Sequence, residues 1–194
     1  EEQYPQYYRS KSTSEAAGDN QSGNESNSEV SEPEQTQIVQ EQLKETHVTY
    51  QENQRGVSYD ALFGPYLQGA NKIVITDPYI RLFFQIRNMM EFLETVAKVK
   101  SDVDEVAVHL ITVEDDFKGP QQQEYFQKMQ ENCDAVGIKF TWEFDASNTI
   151  HARHIVTDTG WKILLDRGLD IFQHYEMNDV FALANRLQKA RQCK

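Results

Sequence analysis

Cysteine is nearly absent from this chain: Cys133 and Cys193 are the only two in 194 residues. They lie too far apart for a metal-type spacing and too few for a disulfide framework. Their scarcity fits a reducing, intracellular setting, and a cytoplasmic location is expected. No apolar run approaches the roughly 20 residues of a membrane-spanning helix. No signal peptide is visible at the start. No Walker motif and no Ser-Lys protease motif is present. The acidic stretches Asp102 to Glu105 and Glu114 to Asp116 lack the spacing of a calcium loop, so no metal and no cofactor is expected. The first residue is Glu1 rather than methionine, so a piece of a larger protein is expected.

Apolar residues are also scarce at one end. Residues 1–45 carry ten acidic and three basic side chains, a net −7 of the chain's −12. Residues 10–37 are rich in Ser, Asn, Gln, Glu and Gly, and such composition cannot offset the entropy of ordering. Residues 1–45 therefore read as a disordered acidic linker, and 46–194 as the folded domain. The acidity belongs mostly to the linker, so it does not exclude an anionic partner. Residues 151–194 are net +2, with Arg186, Lys189, Arg191 and Lys194 near the end. That cluster suits phospholipid headgroups or nucleic acid, or simply a helix C-terminus.

Within the folded part the hydrophobic period alternates between strand and helix. His47-Val48-Thr49-Tyr50 suits an edge strand. Ser58 is placed to cap a helix through Tyr66-Leu67, bent or shortened by Pro65 and ended by Gly69. Lys72–Thr76 and Glu105–Val113 read as buried strands, Ile80–Lys98 and Gln121–Val136 as helices, with Gly137 as a helix stop. Ile138–Phe144 alternates apolar and polar side chains. Ile150–Thr157 and Trp161–Leu165 suit a hairpin across Asp158-Thr159-Gly160. Asn178–Lys189 reads as a last amphipathic helix. Strands separated by helices predict an α/β fold with a mixed central sheet.

The residues that suggest chemistry lie at 151–158. His151, Arg153 and Asp158 follow the spacing His-x-Lys-(x)4-Asp, with arginine in the lysine position. On a strand His151 and Arg153 share a face and His154 takes the other. A histidine nucleophile beside a fixed cation suits attack on a phosphodiester, and arginine binds phosphate as well as lysine does. The same three residues also suit a relic, with His151 hydrogen-bonded locally, and the balance favours that. His154 reads as a satisfied structural histidine. Asp77, Tyr79 and Arg81 follow a predicted strand, where α/β proteins place ligands. Asp77 also suits a helix cap, with Pro78 starting the helix, which is the favoured reading. Arg167 suits an ion pair with Asp77 or Asp158, or an anion site, and Gly168 a turn.

Gly56-Val57-Ser58-Tyr59-Asp60-Ala61-Leu62-Phe63, Asp77-Pro78-Tyr79-Ile80-Arg81, Val108-His109-Leu110-Ile111-Thr112, Ile150-His151-x-Arg153 and Gly160-Trp161-x-Ile163-x-x-x-Arg167-Gly168-Leu169-Asp170-x-Phe172 occur in this order. They resemble the phospholipase D-like C-terminal domain of MIT-domain proteins, from about residue 46 to 172. The His-x-Arg-(x)4-Asp stretch is similar to the motif of phospholipase D-type phosphodiesterases, which use two such motifs. The resemblance implies a phospholipase D-like α/β sandwich, a central mixed sheet flanked by helices. It implies a homodimer that associates with acidic phospholipid without phosphodiesterase activity. Nothing in residues 1–45 resembles the helical MIT module, so its binding partners are not implied. Bacterial relatives imply attachment to an AAA+ or Lon-like ATPase. The expectation is a non-catalytic recognition domain, peripheral to a membrane. A phosphodiesterase or nuclease assembled across a dimer with His151 as nucleophile, and a nucleic-acid-binding module, are the rivals. The residues expected to carry catalysis, if there is any, are His151, Arg153 and Asp158. Those expected to bind phosphate are Asp77, Tyr79, Arg81 and Arg167.

Overall fold

Hydrophobic alternation builds one five-stranded mixed sheet. The computed structural model describes residues 43–147, 150–174 and 188–194. The chain divides into two units, Glu1–Gln40 and Glu41–Lys194, and every described residue belongs to the second. The expected linker falls almost wholly outside the described residues, as does most of the expected helix 178–189.

The strands are β1 (Lys72–Thr76), β2 (Val106–Thr112), β3 (Ile138–Phe144), β4 (His154–Thr157) and β5 (Lys162–Leu164). Their order across the sheet is β3-β2-β1-β4-β5. β1, β2 and β3 run parallel, whereas β4 pairs antiparallel with β1 and with β5. The α/β fold with a mixed sheet is therefore the one found. The parallel pairs are joined by helices, α3 (Phe83–Val99) between β1 and β2 and α4 (Gly119–Cys133) between β2 and β3. Gly137, at φ 70°, ends the 3-10 turn that follows α4.

Register sorts the side chains onto two faces. Ile73, Val108 and Phe140 pair across three strands, and Ile75, Leu110 and Ile155 across another three. These residues are buried, and they form one core with Met89, Phe92, Val96 and Phe126 of the helices. Phe126 of α4 packs its ring against Phe140, Trp142 and Phe144. The opposite face carries Lys72, Val74, His109, Ile111, Lys139, Thr141, Glu143 and Val156, each exposed or half-buried. Its apolar members lie outside the core, so the described helices cover only one face.

Some expectations fail for physical reasons. The helix after Ser58 splits into α1 (Tyr59–Leu62) and α2 (Gly64–Leu67). Ser58 does cap the first, accepting from Ala61 N at 3.2 Å. Pro65 at the start of α2 has no N–H for an i−4 bond, so the chain restarts there. His47–Tyr50 is not a strand, and only Tyr50 pairs, in an isolated bridge with Cys193. Strand β4 begins at His154, so His151 and Arg153 precede it.

Candidate functional site

Asp77, Tyr79 and Arg153 meet just beyond the C-terminal end of β1. Thr76 pairs with His154, which brings Arg153, the residue before β4, beside Asp77. The Asp77 carboxylate is the hub. Its Oδ1 accepts from Tyr79 N at 3.0 Å and its Oδ2 from Leu169 N at 3.2 Å. Asp77 therefore makes a turn and ties in the 166–170 loop, and the expected helix cap is not formed. Helix α3 starts six residues later, where the Gln85 side chain accepts from the N–H groups of Arg81 and Leu82.

The side chain of Arg153 is held on several sides. Its guanidinium carbon lies 4.2 Å from the Tyr79 ring centroid. Its Nη1 donates to the Asp166 carbonyl. Its charge acts on both Asp77 and Asp170. Its Nε is buried without a hydrogen-bond partner, and so is Oδ1 of Asp170. Burial pushes the Asp77 carboxyl above its ordinary range, while its two backbone donors and Arg153 pull it down. Asp170 is also raised by burial and pulled down by Arg191, Arg167 and Arg153. Tyr59, on α1, donates its buried hydroxyl to the Leu169 carbonyl and locks the same loop from below.

Gly168 is required here. Its φ is +63°, and a Cβ would lie 2.7 Å from Asp77 Cγ and 3.1 Å from Arg153 Cδ. The position needs both the left-handed backbone and the empty side. The 91-residue gap between Asp77 and Gly168 hid this contact from any local reading. Asp170 and Tyr59 were missed for the same reason.

The other predicted residues lie elsewhere. His151 is exposed in the coil before β4. Asp158 sits in the hairpin turn past the other end of β4, where its carboxylate accepts from Asn71 N at 3.1 Å. Four strand residues lie between it and Arg153, a separation of about 16 Å at a usual strand rise. The structure thus separates Arg153 from Asp158. Arg81 donates its Nε to the Pro78 carbonyl and lies 5.9 Å from the Tyr79 ring. Tyr79, a residue 42% exposed, is therefore flanked by two cations. Arg167 is exposed, and the cation that acts on Asp77 is Arg153, not Arg167. His154 Nδ1 is buried without a hydrogen-bond partner, so this histidine is not the satisfied one expected. Burial, and then Lys162, hold its pKa below the ordinary value. Among the described residues no His, Cys, Asp and Glu cluster is arranged to hold a metal ion. A small cleft lined by Phe84, Glu91, Phe172 and His174 contains none of the predicted residues.

Residues 56–194 match the family described as "Phospholipase D-like domain at C-terminus of MIT". The chain belongs to this family. Mouse MIT domain-containing protein 1 is 33% identical over 128 residues, which cover 65% of this chain and 50% of the mouse protein. The chain thus spans about half the length of that relative. In this phospholipase D-like domain the crowded end of β1 carries the arginine of the His-x-Arg-(x)4-Asp stretch. Among the described residues no helix is long and apolar enough to cross a membrane.

Proposed function

We propose that the domain is a recognition module without catalytic turnover, which acts as a dimer and binds an anionic, phosphate-bearing surface, that of acidic phospholipids. The observation that carries this reading is the hold on Arg153. Phosphodiester attack needs a cation whose donors are free for the phosphoryl oxygens. Here the guanidinium is stacked on Tyr79, donates to a carbonyl and faces two carboxylates. A phosphoryl group in its place would meet Asp77 and Asp170 at close quarters. Of the other two members of the motif, His151 is exposed and Asp158 is engaged at the far end of β4. The candidate phosphate-binding groups at this end are the more peripheral Arg81, Arg167 and Tyr79. Exposed Leu82 and Phe83, at the start of α3, and Phe117, on the β2–α4 loop, accompany them. That combination suits a peripheral position at a charged interface, on the cytoplasmic side of a membrane.

The test is sedimentation with vesicles containing acidic phospholipid, in low and high salt, beside a metal-free assay with bis-p-nitrophenyl phosphate. The expected result is salt-sensitive sedimentation and no turnover. Turnover that His151→Asn abolishes, with a phosphohistidine on His151, would establish the phosphodiesterase reading instead. Retardation of DNA without sedimentation would establish a nucleic-acid module.

A further inference from the structure

Residues 189–193 run as a strap between two other stretches of the chain. Tyr50 N donates to Cys193 O at 2.9 Å, and Cys193 N donates to Tyr50 O at 3.2 Å. Asn53 N donates to Ala190 O at 2.9 Å, and Ala190 N to Gln54 O at 2.8 Å. On the other side Gln173 N donates to Lys189 O and Arg191 N to Ile171 O, each at 2.8 Å. Ala190 and Cys193 are buried, so two side chains anchor the strap as well as its backbone. Between them Arg191 reaches toward the 166–170 loop. Its Nε donates to the Phe172 carbonyl at 3.0 Å, and its Nη1 lies 3.5 Å from Asp170 Oδ2.

Three arginines act on the half-buried Asp170 carboxylate, Arg191 most, then Arg167 and Arg153. They differ in freedom. Arg153 is held by the Tyr79 ring and the Asp166 carbonyl. Arg191 is fixed by the strap and by the Phe172 carbonyl. Arg167 is exposed, and among the described residues its guanidinium makes no hydrogen bond. It also starts the turn that carries Asp170, whose N–H donates to Arg167 O at 3.3 Å. Oδ1 of Asp170 is buried without a hydrogen-bond partner. A partly buried carboxylate that loses its cation is costly. Without Arg191, the mobile cation within reach of Asp170 is Arg167.

We propose that Arg191 is a positioning residue for the anion-binding end of the domain: by pairing with Asp170 it keeps Arg167 turned out to solvent, free to meet a phosphoryl group. The proposal rests on the phospholipid reading above and adds its regulation. With the strap seated, Asp170 is satisfied and Arg167 is available. With the strap released, Asp170 draws Arg167 inward and a cation is withdrawn from the lipid surface. The coupling is reciprocal. A phosphoryl group that holds Arg167 outward leaves Asp170 to Arg191 and tightens the strap.

Sedimentation of the full chain with phosphatidylcholine vesicles containing phosphatidylserine tests it. Arg191→Gln keeps a donor for the Phe172 carbonyl but no charge, and should weaken binding about fivefold or more. Arg191→Lys keeps the cation and should bind like the natural chain. The double variant Arg191→Gln/Asp170→Asn leaves no carboxylate to draw Arg167 inward and should regain the lost binding. Arg167→Met should weaken binding, and adding Arg191→Gln should then weaken it no further. Nuclear magnetic resonance of the arginine side chains reads the exchange of partners without lipid. The Arg167 Nε–H should become protected in Arg191→Gln and exposed again in the double variant. Circular dichroism checks that each variant folds, and Arg191→Met repeats the test should the glutamine variant misfold. Unchanged binding in Arg191→Gln, or a loss that Asp170→Asn does not repair, would overturn the positioning role, as would an Arg167 that stays unprotected. Protection of Arg167 in a chain whose natural form does not sediment would overturn the phospholipid reading and uphold the exchange at Asp170.

Discussion

The C-terminal end of β1 and the free edge of β3 are opposites in how they treat charge. At the first, Asp77, Arg153 and Asp170 are enclosed, and a glycine is needed to let them approach. At the second, Lys139 and Glu143 stand in solvent with little holding them. Charges buried together are interdependent, and removing one leaves the others unpaired. Charges on an exposed strand are nearly free to be exchanged. The arginine of the stretch that most resembles a catalytic motif thus sits in the enclosed cluster, whereas His151 and Asp158 are exposed outside it.

The contrast is broken most severely at Gly168. Gly168→Ala should cost about 2–4 kcal/mol in urea unfolding, from overpacking against the Asp77 carboxylate and from the positive φ together. Gly160 has φ +96° but nothing within 4 Å of its Cβ position. Gly160→Ala should therefore cost only about 1–2 kcal/mol, the backbone part alone. Next comes Arg153→Met, which should lower stability by about 2 kcal/mol by leaving buried carboxylates without their cation. His151→Asn, two residues away but exposed, should change stability by less than about 0.5 kcal/mol. Equal effects at 151 and 153 would undo the structural role assigned to the arginine. Ser58→Ala should cost about 1 kcal/mol through loss of the helix cap.

Titration sharpens the same comparison. His154 resists protonation in the folded chain, because burial and Lys162 lower its pKa. The unfolded chain takes up that proton near pH 6.5, so stability should fall as pH drops below that value. His154→Gln should remove that part of the fall. Asp77 and Asp170 act in the other direction. Their raised pKa values mean the folded chain binds protons before the unfolded one as pH falls, so their protonation favours the folded state. Unfolding midpoints between pH 7 and pH 4 should show both signs, and Asp77→Asn should remove its share of the second.

Strand β3 was fully legible, because its alternation of Ile138, Phe140, Trp142 and Phe144 with Lys139, Thr141 and Glu143 matches a sheet buried on one face. β1 and β2 were legible from short apolar runs bounded by loop residues. The period of the hydrophobic side chains is local information, and those elements depend on little else. The hub at Asp77 was not legible. Asp77 and Pro78 carry the local signature of a helix start, and nothing nearby in sequence announces Leu169 N as a competing donor. The strand expected at 150–157 was too long because apolar pattern alone does not register that Arg153 is drawn toward Tyr79 and the 166 carbonyl. The bridges of Tyr50 with Cys193 and of Phe172 with Ala190 join distant segments, and no periodicity foretells them.

The central position of β1 sets a timetable for synthesis. One side of β1 bonds to β2, which follows soon after, but the other bonds to β4, and Ile73 waits for Thr157, 84 residues later. At usual translation speeds that interval lasts about 4–17 s. Through those seconds the apolar middle strand has one unpaired flank, a period in which a nascent chain is open to chaperones and to faulty partners.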